Sequence, residues 1–204
     1  MPPRCERLPN GLKAVLVPCE AQSVAVGLFV ASGSRHEDRR HAGISHFIEH
    51  MLFKGTEKRS SLDITLAIEG RGGMFNAFTC EESTCFFAHM PDEYFAEAVD
   101  ILGDMYRHAK IDPGEFAKEK QVVIEELRMY ADEPDTVAME NLQKCLFPGH
   151  ALGRPIGGFE ETLRPLDPGE MKAWIKAHYV PRKTVVVVAG RFDEDKARKL
   201  LGKL

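Results

Sequence analysis

The chain has 204 residues, enough for one large or two small domains, and its 44% hydrophobic and 28% charged residues match an ordinary globular protein. Twenty-seven Lys and Arg against 31 Asp and Glu leave a net charge of −4, which argues against nucleic acid or an anionic lipid surface as partner. The longest apolar run, Val24 to Ala31, falls far short of the roughly 20 residues that cross a bilayer, so no membrane span is expected.

Met1 to Glu6 leads into strand-like sequence and carries neither the apolar core of a signal peptide nor the acid-free stretch of a transit peptide. The expectation for a chain starting at Met1 is therefore a cytoplasmic protein. Five cysteines in no regular framework agree with a reducing compartment. Leu12 to Pro18 and Ser23 to Ala31 read as strands around turns, and the polar run Ser32 to Arg40 as a loop. After Gly43 the spacing of Ile44, Phe47, Ile48, Met51 and Leu52 turns helical. Leu62 to Glu69 reads as a short helix closed by Gly70, Gly72 and Gly73. Met74 to Cys80 and Ser83 to Met90 form a candidate hairpin across Glu81 and Glu82.

Pro91 introduces an amphipathic helix through Tyr106, and Pro113 another reaching Tyr130. Asp135 to Leu146 and Pro168 to His178 read as helices, with 148–158 irregular between them. Val185 to Ala189 reads as a buried strand, and Asp193 can cap a last helix. Strands and helices occur in blocks, which predicts an α+β fold: a two-layer sandwich of a largely antiparallel sheet with helices packed on it. With no repeat or linker, residues 1–204 read as a single domain.

His46-Phe-Ile-Glu49-His50 lies inside the helix after Gly43. At about 100° per residue, Glu49 and His50 fall about 60° to one side and 40° to the other of His46, so all three share a face. Two imidazoles at i and i+4 can turn a nitrogen each toward one Zn²⁺, and the carboxylate between them can reach a water on it. That is the equipment of metal-assisted hydrolysis. Two surface histidines on a solvated helix face are the bland reading. A rival metal pattern, Cys80-x4-Cys85-x3-His89, lacks a clear fourth ligand and lies in β-like sequence.

A catalytic zinc needs a third protein ligand. On the helix from Glu115 to Tyr130, Lys118, Gln121, Glu125 and Arg128 make a polar stripe. Glu119, Val122, Val123, Glu126 and Tyr130 share the opposite one. An unpaired carboxylate on that side costs several kcal/mol. A bound cation would relieve Glu126, with Glu119 nearby to accept the N–H of a ligand histidine. A buried ion pair with Arg or Lys is the structural alternative.

The segment from Gly43 to Thr56, Gly-Ile-Ser-His-Phe-Ile-Glu-His-Met-Leu-Phe-Lys-Gly-Thr, resembles the inverted zinc motif of the pitrilysin, insulinase and mitochondrial processing peptidase family. Glu126, with 75 residues intervening after His50, is similar to that family's distal zinc glutamate, and Glu119 to its acidic residue seven positions earlier. Asn76-Ala-Phe-Thr79, Leu152-Gly-Arg-Pro155 and Tyr179-Val-Pro181 resemble further family segments.

The resemblance implies a zinc endopeptidase of short or unfolded peptides, with one Zn²⁺ per chain on His46, His50 and Glu126 and with Glu49 as general base. It implies that substrate is held as an added β-strand along Asn76, Ala77, Phe78 and Thr79. Phe53 matches an aromatic residue of the pocket beside the scissile bond, against a plain core role. Family chains carry at least two such domains. A second domain, a partner subunit or a homodimer is therefore implied, and a non-catalytic peptide-binding module is the alternative.

Overall fold

The computed structural model describes residues 2–204. The described elements are β1 (Arg4–Arg7), β2 (Lys13–Pro18), β3 (Ser23–Val30), α1 (Ile44–Leu52), α2 (Ser61–Ile68), β4 (Met74–Thr79) and β5 (Thr84–Pro91). Then follow α3 (Phe95–His108), α4 (Pro113–Ala131), α5 (Pro134–Leu146), α6 (Glu160–Leu163), α7 (Pro168–His178), β6 (Thr184–Gly190) and α8 (Glu194–Leu201). The strands make one sheet in the order β1-β2-β6-β3-β5-β4. Only β2 and β6 run parallel; the other neighbours are antiparallel.

Alternation along the strands decides which face is covered. Ala14, Leu16, Val24, Val26, Leu28, Val186 and Val188 point to one side and are buried, whereas their neighbours Val15, Val17, Phe29, Val185 and Val187 are half-buried. Helices α1, α3 and α8 pack against β5, β3 and β2. The result is the two-layer α+β sandwich, built round one contiguous apolar cluster. No helix among the described residues is long and apolar enough to cross a membrane.

Helix α1 begins at Gly43, whose φ of 94° favours glycine and whose added Cβ would lie 2.3 Å from the Gly157 carbonyl oxygen. Ile44, Phe47, Ile48 and Met51 are fully buried. Each such side chain is worth about 1.5–3 kcal/mol, which fixes the helix in rotation about its axis. The remaining face, with His46, Glu49 and His50, is turned to α4. Strand β4 closes one edge of the sheet and pairs with β5 alone, Met74 opposite His89 and Thr79 opposite Thr84.

Two details depart from the expectations. Val122 is 51% exposed, because it lies about 100° round α4 from the buried Val123 and so falls outside the buried stripe. Four-residue α6 has no counterpart in the sequence reading, since one turn is too short to carry a periodicity.

Candidate active site

Helix α4 starts at Pro113 with Asp112 as its cap, the carboxylate accepting from the N–H of Gly114 and Glu115. Its inner side presents Glu119 and, two turns on, Glu126 to α1. One ligand atom each from His46, His50 and Glu126 comes within 4.8 Å of the others. Glu126 Oε2 lies 3.2 Å from His50 Nε2 and 3.9 Å from His46 Nε2. Ligand atoms on a tetrahedral zinc with bonds near 2.0–2.1 Å sit about 3.3 Å apart, so two imidazoles and a carboxylate at these separations suit the ion.

The hydrogen bonding fits as well. His50 Nδ1 is 2.9 Å from Glu119 Oε1, an arrangement in which Nδ1–H donates and Nε2 keeps a lone pair for a metal. His46 Nδ1 is buried with no hydrogen-bond partner. Burial, aided by the neighbouring His50 and opposed by Glu126, lowers the His46 pKa to about 4, so the ring is neutral at neutral pH, the state that ligates. With the proton on Nδ1, the neutral ring leaves Nε2, the nitrogen 3.9 Å from Glu126 Oε2, with a lone pair for a metal.

Glu119 has both carboxylate oxygens tied by donors, whereas Glu126 and Glu49 each have one. Glu119 is buried, and its Oε2 accepts from Lys54 Nζ at 2.6 Å, so the ion-pair alternative holds for this residue. Glu126 Oε1 accepts from the Tyr130 hydroxyl at 2.7 Å. That bond, with burial, pushes the phenol up to about 12 and keeps it a donor. Glu49 Oε2 accepts from Thr79 Oγ1 at 2.5 Å. Burial raises the Glu49 pKa, and the Thr79 bond and His50 offset part of that.

The frame behind the site comes from a loop. Glu37 is buried, and its two carboxylate oxygens accept from the N–H of Gly43 and Ser45, both at 2.8 Å, capping α1 from outside the helix. Arg154 donates to the carbonyls of Ser34 and Glu37, tying the 148–158 segment to the same loop. An added Cβ on Gly157 would lie 2.5 Å from Leu127 and 3.7 Å from His46 Nδ1, so that segment closes tightly over the histidine.

His46, Glu49, His50 and Glu126 line an open cleft of about 620 Å³. Ala77, Phe78 and Thr79 form one wall, and Met139, Glu140 and Gln143 of α5 another. The structure does not bring Asn76 or Phe53 into this lining. The Asn76 side chain instead accepts the N–H of Ala77 at 2.8 Å. Phe53 is half-buried and packs with Phe75 and Phe86, at ring separations of 5.3 and 6.4 Å. The rival cysteine pattern is not assembled. Among the described residues the candidate metal group is His46, His50 and Glu126. Cys85 and His89, four strand residues apart, are separated by about 13 Å.

Tyr130, Lys54 and Glu37 were not singled out by sequence reasoning as site residues. The i,i+4 spacing of Glu126 and Tyr130 carried a usable signal. Glu37 carried none, since only the fold brings this loop residue to the start of α1.

Fold and site together define a sheet-and-helix domain bearing a His-x-x-Glu-His helix and a distal glutamate on one cleft. The chain belongs to the insulinase family, peptidase family M16, whose sequence model matches residues 14–159. It is 41% identical over 186 residues to the uncharacterized zinc protease YmxG of Bacillus subtilis, covering 91% of this chain and 46% of that protein. It is 36% identical over 195 residues to the mitochondrial-processing peptidase subunit beta of Blastocladiella emersonii, covering 95% and 42%. A protease structure from Helicobacter pylori shares the fold with a TM-score of 0.94 at 24% identity, over 99% of this chain and 49% of that one. The chain thus spans less than half the length of these relatives.

Proposed function

We propose that this chain is the zinc-binding domain of a metalloendopeptidase that hydrolyses short or unfolded peptides. The observation that carries the reading is the convergence of ligand atoms from His46, His50 and Glu126 to within 4.8 Å, with Glu49 on the same helix face. The three residues hold one zinc per chain. When bound, the ion supplies Lewis acidity toward a water and a peptide carbonyl.

The chain's own groups do the rest. Glu49, held through Oε2 by Thr79, accepts the proton of the attacking water on its free oxygen and passes it to the leaving amine. Glu119 accepts the N–H of His50 and fixes that ring's orientation. An extended peptide adds to the unpaired edge of β4, where Ala77 and Thr79 face the cleft. Main-chain bonds there bind with little regard to sequence. Docking requires the Asn76 side chain to release the Ala77 N–H. Phe53 enters through the packing of Phe75 on β4 rather than by contact with substrate.

We place the chain with the bacterial-type peptidases, since the Bacillus subtilis relative is the more similar of the two. The chain's short span relative to its relatives supports a complementary part: a further domain, a partner subunit or a second copy. The same shortfall favours the second reading, a peptide-binding module that is inactive without such a part. An assay of a fluorogenic unstructured peptide, with this chain alone and with a candidate second half, tests both readings. The expected result is chelator-sensitive cleavage that disappears in Glu49→Gln while zinc remains bound. Undiminished cleavage by Glu49→Gln assigns the chemistry elsewhere, and zinc binding without cleavage in either mixture supports the accessory module.

A further inference from the structure

Building on the zinc-site reading above, we infer that Tyr130 is a positioning residue: its hydroxyl holds one oxygen of Glu126 so that the other alone faces His46 and His50. The two residues lie one turn apart on α4, where side chains at i and i+4 meet. Tyr130 Oη donates to Glu126 Oε1 at 2.7 Å, while Oε2 is the oxygen 3.2 Å from His50 Nε2. Among the described residues no Lys or Arg pairs with Glu126.

The contrast with Glu119 explains the choice of donor. Glu119 pairs with the Lys54 ammonium, which neutralises a carboxylate whose task is to accept a histidine N–H. Glu126 is given a neutral phenol instead. Its negative charge is left uncompensated for a cation, and one oxygen is occupied, so the carboxylate binds through a single atom. Without the hydroxyl both oxygens are free to turn inward, and the group is held only by its own torsions. Outer hydrogen-bond partners of metal ligands are typically worth 10- to 100-fold in affinity.

The test uses the purified chain, zinc and a competing chromogenic chelator. Tyr130→Phe, isosteric at a half-buried position, is expected to bind zinc about 10- to 100-fold more weakly than wild type. Cobalt in place of zinc gives a second readout. A carboxylate that binds through both oxygens raises the coordination number, so the visible band of the Co²⁺-loaded variant should weaken. Equal zinc affinity and an identical cobalt spectrum in a folded Phe variant overturn the inference. So does weaker binding with an unchanged cobalt spectrum and a less stable metal-free chain, which is loss of packing. Tyr130→Leu, which removes the hydroxyl with a different packing change, serves the same comparison if the Phe variant does not fold. A folded wild-type chain that takes up no zinc overturns the site reading itself, and the Tyr130 assignment with it.

Discussion

Thr79 Oγ1 donates to Glu49 Oε2 at 2.5 Å, so the edge strand of the sheet and the carboxylate of the motif helix are joined side chain to side chain. The same Thr79 is the last residue of β4, beside the cleft. A peptide lying on that edge would thereby be registered against the group that moves the proton. Thr79→Val is expected to lower kcat about 10- to 100-fold in whichever assembly cleaves peptide, with KM and zinc content little changed, and Thr79→Ser to restore it. A Val variant with full turnover refutes the coupling.

Glu119 and Lys54 predict a graded effect on metal binding. Glu119→Gln weakens the acceptor for His50 N–H and strands the Lys54 ammonium, and zinc affinity is expected to fall about 10- to 100-fold. Lys54→Met leaves the His50 contact in place and is expected to cost less. Chelator competition on both variants checks the order, and a larger loss in Lys54→Met contradicts it.

Glu37 predicts a stability effect remote from the cleft. Glu37→Ala leaves the N–H groups of Gly43 and Ser45 without their acceptor, at a cost of about 2 kcal/mol or more in denaturant unfolding. The pH dependence has a definite sign. Burial raises the Glu37 pKa above its ordinary 4.5, so between that value and the raised one the folded chain holds more protons than the unfolded chain. Its contribution to stability therefore declines as pH rises through that window, and Glu37→Gln should flatten the decline. A wild-type profile that climbs there and an identical one in the Gln variant count against this account.

Metal removal predicts a thermal shift. A ligand bound only to the folded state at 100 times its Kd adds about 2.7 kcal/mol. Chelation should lower the Tm, zinc should restore it, and His50→Ala should show neither response. Equal shifts in wild type and His50→Ala would place the metal elsewhere.

Most of the fold was legible because its signals are local. Gly43 and the Ile44, Phe47, Ile48, Met51 spacing marked α1, Pro113 marked the start of α4, and the unbroken run of valines from Val185 to Val188 marked β6. The helical face shared by His46, Glu49 and His50 followed from the same arithmetic. Long-range placement was not legible. Val122 was assigned to the buried stripe by a period that tolerates a residue of either side at its margin, and its neighbours in space decide otherwise. Lys54 reaching Glu119 and α5 walling the cleft depend on contacts across 65 and more residues. No window of sequence contains them. Phe53 illustrates the converse: a pocket aromatic and a core residue share one helical spacing, so its half-buried place against Phe75 and Phe86 was not legible from the spacing.

The central claim is that His46, His50 and Glu126 form one zinc site, and metal analysis of the purified chain after equilibration with zinc and removal of excess tests it most directly. The account predicts close to one zinc per wild-type chain and its loss in His46→Ala and in Glu126→Ala, with both variants folded. A folded wild-type chain without zinc, or variants that retain it in full, would contradict the account.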